Sequence, residues 1–349
     1  MTLSRQPKNS LPAPVRPLRI GLVGTGIGRL HAEGIARMPQ TAELAAVCSL
    51  EQDEAHSLAV QYGNGFSTSS FEDLLKDPSI DIIDLCTPPD QHLSMAEAAA
   101  QAGKHLLIEK PLARNLAEAD GILRAARSAG IQLMTAHNQR YFGHHAKAKE
   151  LLDSGAIGTP FMIVVSVHVH GHIQGFRRFL KPAGGGTLID SGVHRFDLIR
   201  WLMGDVASLY AQTGRFMQFQ MEGEDCAVIT MRFRSGAIGS FSCSWSAKSP
   251  RPEETLQIFG PQGAILTEDH TRSLRLKSEN PPPGLEDVRE FVFPVDQSES
   301  IRREIEAFVI SLQRGEPPPI TGEDGRASLE LSIASYQSAA TGQPVNLPL

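Results

Sequence analysis

From Leu18 to about His137 the chain alternates short apolar runs with longer amphipathic stretches. The runs LRIGLVG, ELAAVCS, DIIDLCT, KHLLIE and IQLMTA are bounded by polar residues or glycine, which predicts strands buried on both faces. Between them, MAEAAAQAG and LAEADGILRAARSAG have helical character and end at glycine, the residue that most readily caps a helix C-terminus. Strand and helix repeated in this order predict a parallel sheet with helices on both faces. After Arg140 the texture changes. A helical segment around His145 to Ser154 leads into PFMIVVSVHVHG, and CAVITMRFRSGAIGSFSCSWS and TLQIFGPQGAILTE read as strands separated by turns. These predict a largely antiparallel sheet, followed by helices near Ser300 and Ser328. The expected organisation is an arm at 1–17, an α/β domain at 18–138 and a second α/β domain at 139–349.

One stretch has an unusual pattern. In GGGTLIDSGVHRFDLIRWL, residues 184–202, Asp190, His194 and Asp197 recur at spacings of four and three. On an α-helix they share an arc of roughly 60° with Trp201. Val193, Phe196, Leu198, Ile199 and Leu202 fill most of the remaining circumference, so the helix has no evident solvent face. Burying two carboxylates and an imidazole is costly unless they are paired or used in chemistry.

Composition narrows the function classes. The 349 residues are 41% apolar and 21% charged, a globular balance, and their number suggests two domains. A net charge of -6 without a Lys/Arg block argues against nucleic acid as a partner. No apolar run reaches about 18 residues, so no membrane span is expected. The first 17 residues are polar and proline-rich without a secretory apolar core, and the expected location is the cytoplasm. Cys48, Cys86, Cys226 and Cys243 are isolated in or beside apolar runs, which predicts reduced thiols and no C-x-x-C metal site.

The first strand runs into GTGIGRLH, residues 24–31. Gly24 allows a tight turn, Gly26 allows backbone to approach a pyrophosphate, and the next helix points free N–H groups at that anion. Gly28 comes one residue earlier than G-x-G-x-x-G requires, which puts its role in close helix–strand packing in question. At the end of the second strand, where an acidic residue would take the ribose hydroxyl, the chain has Ser49. No Lys or Arg lies between Ala45 and Gln61, while Glu51, Asp53 and Glu54 do, which favours NAD slightly over NADP. Arg29 is the residue that could reverse this preference. Two later strands end in CTPPDQH (86–92) and IEKPLA (108–113), at strand C-termini, where a parallel sheet forms its ligand crevice. Lys110 would project there, or be an ordinary surface lysine; Glu109 could equally be half of a structural ion pair.

These motifs together resemble the glucose–fructose oxidoreductase/inositol dehydrogenase (Gfo/Idh/MocA) family, over nearly the whole chain from Leu18. The specific pieces are TPP-x-x-H at 87–92, AGKH at 102–105, EKP at 109–111 and GGG-x-L-x-D-x-x-x-H-x-x-D at 184–197. The resemblance implies an N-terminal Rossmann domain, a C-terminal α/β domain with an open, mainly antiparallel sheet, and an active site between them. It places the catalytic set on Lys110, Asp190 and His194. The expected cofactor contacts are Gly24, Thr25, Gly26, Ile27, Gly28, Ser49, Thr87, Pro88, Pro89, His92, Glu109, Lys110 and Asn138. Lys110, Arg140, His168, His170, Asp190, His194 and Asp197 are the expected substrate contacts. No metal is expected, and a homo-oligomer, dimer or tetramer, is implied.

The implied activity is hydride transfer between NAD or NADP and a secondary alcohol or ketone of a sugar, inositol or polyol. His194 would act as base, Lys110 would stabilise the substrate oxygen, Asp190 would orient the pair, and Asp197 would bind a neighbouring hydroxyl. Two alternatives on the same scaffold are a redox-neutral glycosidase and a non-catalytic cofactor-sensing regulator. An intact Lys110, Asp190 and His194 set counts against the regulator. His168, His170 and His172 alternate along one strand and could line the substrate, bind zinc or simply be polar strand residues. Arg177, Arg178 and Lys181 could touch cofactor or an anionic substrate, or be solvated.

Overall fold

The structure, a computed structural model, describes residues 16–349 apart from 64–65, 172, 251–253, 269–271, 287–288 and 295–296. His172 and nearly all of the expected arm lie outside the described residues, as does the side chain of Lys181. The first sheet contains β1 (Leu18–Val23), β2 (Ala42–Cys48), β3 (Phe66–Thr68), β4 (Ile82–Leu85), β5 (His105–Glu109) and β6 (Leu133–Ala136). All its pairings are parallel, in the order β3-β2-β1-β4-β5-β6. The order reverses between β1 and β4, which opens a crevice at the strand C-termini. Ile20, Leu22 and Ile82 join one core cluster, while Val23, Ile83 and Leu85 join another. Burial on both faces explains why these strands read as apolar runs rather than alternations. The edge strand β3 is three residues long and carries no such run, so the apolar pattern did not reveal it.

The described α-helices of this part are α1 (Gly28–Ala36), α2 (Gln52–Tyr62), α3 (Phe71–Lys76), α4 (His92–Gln101) and α5 (Leu116–Ala129). α5 starts where the Asn115 side chain accepts from the Glu118 N–H and stops at Gly130 with φ +67°.

The remaining chain forms helices α6 (Gly143–Asp153), α7 (Leu180–Ala183), α8 (Val193–Met203), α9 (Gln297–Arg314) and α10 (Gly322–Thr341) around a second sheet. Its strands are β7 (Met162–His168), β8 (Val206–Gly214), β9 (Cys226–Phe233), β10 (Ile238–Ser244), β11 (Glu254–Gly260), β12 (Gly263–Glu268), β13 (Ser273–Ser278), β14 (Glu290–Val292) and β15 (Val345–Asn346). The order is β14-β13-β12-β11-β7-β10-β9-β8-β15, antiparallel except for the parallel pair β7–β10. Burial alternates residue by residue along β7 and β9. The buried face packs on α8, where Phe196 meets Phe241 edge-on with ring centroids 5.3 Å apart. The other face of the sheet is left open.

α9 returns to the first core. Its Ile301, Ile305, Phe308 and Val309 cluster with Ile20 and Leu22. Gly34 of α1 permits the approach, because a Cβ there would lie 3.2 Å from the Arg302 Cα. α10 begins with a capping box between Thr321 and Asp324, then sends Leu329 into one core and Leu331 into the other. α10 therefore packs into both cores, on either side of the crevice, while α9 packs on the first.

Candidate active site

A cavity of about 680 Å³ lies in that crevice. One wall is the glycine turn after β1 with the ends of β2, β4 and β5; the other is the segment leading into α8. Gly24 has φ +97°, and a Cβ there would lie 2.5 Å from the Cys86 carbonyl oxygen, so only glycine suits the turn. A Cβ on Gly26 would meet nothing within 4 Å, which leaves the turn's backbone open to a ligand. Gly28 opens α1 and is buried, and a Cβ there would reach Cys86 and Leu22 at 3.4 Å. Close helix–strand packing thus occurs at Gly28 despite its early position. The open turn, the helix start and a lining that runs from Gly24 to Lys110 fit a dinucleotide.

Thr25, Ile27, Ser49, Thr87, Pro88, Pro89, Glu109 and Asn138 also line the cavity. Thr25 Oγ1 donates to Glu54 Oε2 at 2.6 Å, which holds a carboxylate beside the glycine turn. His92 corrects an expectation. It is fully buried, with ring nitrogens 2.9 Å from the Thr87 carbonyl oxygen and 3.1 Å from that of Leu112. It braces the TPP turn from behind and is absent from the described lining.

On the opposite wall, Asp190 does not sit on a simple α-helix. Leu188–Gly192 forms a π-helical turn that passes into α8, so the 100° stepping assumed from sequence does not hold there. Asp190 and His194 both line the cavity. Asp197 does not: it is 1% exposed and its two oxygens accept from Arg140 Nε and Nη2 at 2.7 and 2.6 Å. The substrate contacts expected from Asp197 and Arg140 are thereby replaced by a buried, bidentate ion pair. His168 is another correction, because strand alternation puts it opposite the buried Ile163, Val165 and Val167, with Nε2 3.1 Å from Ser242 Oγ. His170 forms an isolated bridge with Ser246 and is likewise absent from the described lining.

The π-turn has a support that the sequence reading missed. Glu224 Oε1 accepts from the Leu188 N–H at 2.8 Å and from the Tyr336 hydroxyl at 3.0 Å, while Ser332 Oγ donates to the Leu188 carbonyl at 2.9 Å. A Cβ on Gly186 would collide with the Glu224 carbonyl oxygen, which explains part of the glycine triplet.

The cavity brings together the three residues expected to be catalytic. Lys110 Nζ donates to the Asp190 carbonyl oxygen at 3.0 Å and lies 3.6 Å from Asp190 Oδ1. Arg177 Nε donates to the same Oδ1 at 3.1 Å. Burial favours protonation of Asp190, but Lys110 and Arg177 outweigh it and hold the carboxyl below its ordinary range. Burial, reinforced by the Lys110 charge, pushes His194 well below the ordinary imidazole value, so it is neutral at neutral pH. Its Nδ1 is buried without a hydrogen-bond partner among the described residues.

Behind Lys110 runs a second chain of charges. Glu109 Oε2 accepts from the Lys110 backbone N–H at 3.0 Å, and Oε1 lies 3.2 Å from His31 Nε2; His31 Nδ1 lies 2.8 Å from Asp84 Oδ2. Burial opposes a charge on His31, yet Asp84 raises its pKa well above the usual value, so both ring nitrogens donate. Ligand atoms of His31, Asp84 and Cys86 lie within 4.8 Å of one another, but both imidazole nitrogens are already committed to carboxylates. The available signal was Asp84 itself, a carboxylate in the middle of the doubly buried run DIIDLCT.

Residues 18–137 match the oxidoreductase family with an NAD-binding Rossmann fold, and residues 145–266 match the GFO/IDH/MocA C-terminal domain. The 1,5-anhydro-D-fructose reductase of Ensifer adhaerens is 30% identical over 343 residues, covering 94% of this chain and 98% of that protein. The chain belongs to the GFO/IDH/MocA family. Another relative, the myo-inositol 2-dehydrogenase of Thermotoga maritima, is 28% identical over 336 residues, 95% of this chain and 98% of its own. A levoglucosan dehydrogenase solved with NADH and levoglucosan superposes with a TM-score of 0.89 at 25% identity, covering 95% of this chain and 100% of its own. This GFO/IDH/MocA protein is an NAD(P)-dependent oxidoreductase, with the Rossmann and mainly antiparallel sheets expected. No described helix is long and apolar enough to cross a membrane.

Proposed function

We propose that the protein oxidises a secondary alcohol of a sugar, inositol or related polyol, or reduces the matching ketone, with Lys110, Asp190 and His194 as its catalytic residues. The observation that carries this reading is the convergence of all three on a cavity that begins at an open glycine turn. Bound nicotinamide supplies the hydride acceptor or donor. The protein's own task is the hydroxyl proton. His194, kept neutral by burial, is suited to accept it, while the Lys110 ammonium donates a hydrogen bond to the substrate oxygen as negative charge develops. Asp190 holds Lys110 and presents a carboxylate to a neighbouring hydroxyl. The inositol, anhydro-sugar and levoglucosan chemistry in the relatives' names supports this substrate class.

The same reading favours NAD over NADP, because Glu51 lines the cavity and Glu54 is fixed at the glycine turn, where a 2′-phosphate would be repelled. It places the protein in the cytoplasm, consistent with four free cysteines. It also makes the protein a homo-oligomer through the open sheet face, where Val228 and Ile238 are exposed; light scattering that shows only monomer at micromolar concentration would refute this. Assays of purified protein on inositols, sugars and anhydro-sugars with both cofactors test the function. Turnover with NAD that is lost in Lys110→Ala is expected. Product formation without net reduction of nicotinamide would instead indicate redox-neutral glycoside cleavage.

A further inference from the structure

The substrate end of the cavity is lined by two cationic side chains, Lys110 and Arg177. Lys110 and Arg177 flank the single carboxylate of Asp190, both directed at Oδ1. Glu109, the next carboxylate along the lining, is already engaged by His31 and by the Lys110 backbone. His31 is shared between Glu109 and Asp84, so the charges at this end balance, and what sets Arg177 apart is its orientation.

Arg177 is held in a set orientation. Its Nε is anchored on Asp190, and its guanidinium carbon lies 5.0 Å from the centroid of the Phe176 ring, which likewise lines the cavity. Its Nη1 and Nη2 have no partner among the described residues, and the side chain is 44% exposed. A guanidinium fixed through Nε and stacked on an aromatic ring presents its remaining N–H groups as a planar fork. That geometry matches a carboxylate better than a hydroxyl.

We propose that the substrate is a carboxylated sugar or polyol, of the aldonate or uronate class, whose carboxylate is bound by Arg177 while a secondary hydroxyl of the same molecule lies against Lys110. This rests on the hydride-transfer reading above. In the oxidation, the carbinol C–H bond breaks and its hydride passes to the oxidised nicotinamide. The hydroxyl proton leaves to the protein and then to water, C=O forms, and the substrate carboxylate is unchanged. Arg177 is a specificity residue in this scheme.

The test uses full-length protein with NADH and two matched panels, hexuronates with their parent hexoses and hexonates with their parent hexitols. Binding to the NADH complex is read by calorimetry, and kcat/KM is read separately with NAD. At least one acid is expected to exceed its neutral counterpart in affinity by about tenfold or more, with a preference that shrinks as salt is raised. In Arg177→Gln the acid-to-neutral ratio should fall toward one, and Arg177→Lys, which keeps charge but loses the fork, should lie between. Neutral compounds binding as well as or better than every acid would overturn the proposal, as would an absence of binding by any acid. An Arg177→Gln protein that loses NADH affinity without changing the ratio would assign Arg177 to the cofactor and also overturn it. Arg177-dependent acid binding without turnover would support the proposal while refuting hydride transfer. Lys110-dependent turnover of neutral sugars alone would do the reverse.

Discussion

The two walls of the cavity are made of different material. The wall under the glycine turn offers mainly backbone: Gly24 held by its positive φ, Gly26 open to the cavity, and the ends of parallel strands. The opposite wall offers side chains, Asp190, His194 and Arg177; Lys110 acts on the protonation of both Asp190 and His194, and Arg177 holds the Asp190 carboxylate. Under the proposed function, dinucleotide affinity rests on a shape that few substitutions reach, whereas reactivity and selectivity rest on a handful of side chains. Apart from Lys110, which reaches from the end of β5 across to Asp190, substitutions on one wall should leave the function of the other largely intact.

The largest expected effect is Lys110→Ala, which should lower kcat by about 100-fold or more, the scale of a positioned group in proton transfer. NADH affinity, measured by fluorescence titration, should change far less. If the two fall in parallel, the walls are not separable. Gly24→Ala is the converse. Its Cβ would press on the Cys86 carbonyl oxygen, and NADH affinity should weaken on the order of tenfold. Gly186→Ala would force the backbone off Glu224 and disturb the π-turn. A loss of kcat with several degrees of Tm is expected, with NADH binding retained.

A pH profile sharpens the comparison. Because His194 is held well below its ordinary value of 6.5, the acid limb of kcat/KM for alcohol oxidation should lie below that pH. A limb at or above 6.5 would show that His194 is charged in the working enzyme or is not the base. The smallest effect concerns Glu304 of α9, fully buried, with neither side-chain oxygen partnered among the described residues. Burial, and then the Glu109 charge, push its carboxyl well above the ordinary 4.5. Stability from the protonated form is complete below 4.5 and is lost as pH climbs toward the raised value. Glu304→Gln should thus gain Tm relative to wild type as pH increases, read by calorimetry across the series. A constant difference would show that Glu304 is not protonated on folding.

Much of this arrangement is legible in the sequence, for identifiable physical reasons. Strands buried on both faces write themselves as LRIGLVG and DIIDLCT, and Gly130 after α5 marks a left-handed cap. The site motifs put Lys110, Asp190 and His194 where the cavity gathers them. What was not legible depended on contacts distant in sequence. Asp197 shares a nominal helical stripe with Asp190, but the π-turn and Arg140, 57 residues earlier, take it out of the cavity. His168 alternates correctly along β7, yet which face of that strand meets α8 is set by tertiary packing. Glu224, which supports the π-turn from 36 residues downstream, has no local signature at all. His92 had the right motif and the wrong role, since motif spacing cannot distinguish a residue that lines a turn from one that braces it.

The most direct test of the central claim follows the hydride itself. A substrate found by the panel assays is deuterated at its carbinol carbon, incubated with NAD and the protein, and the reduced nicotinamide is analysed by mass spectrometry. The account predicts one deuterium in each reduced cofactor, formed in proportion to ketone product and lost in Lys110→Ala. Ketone-free product with the label retained in the sugar, or label appearing in solvent rather than in the cofactor, would contradict it.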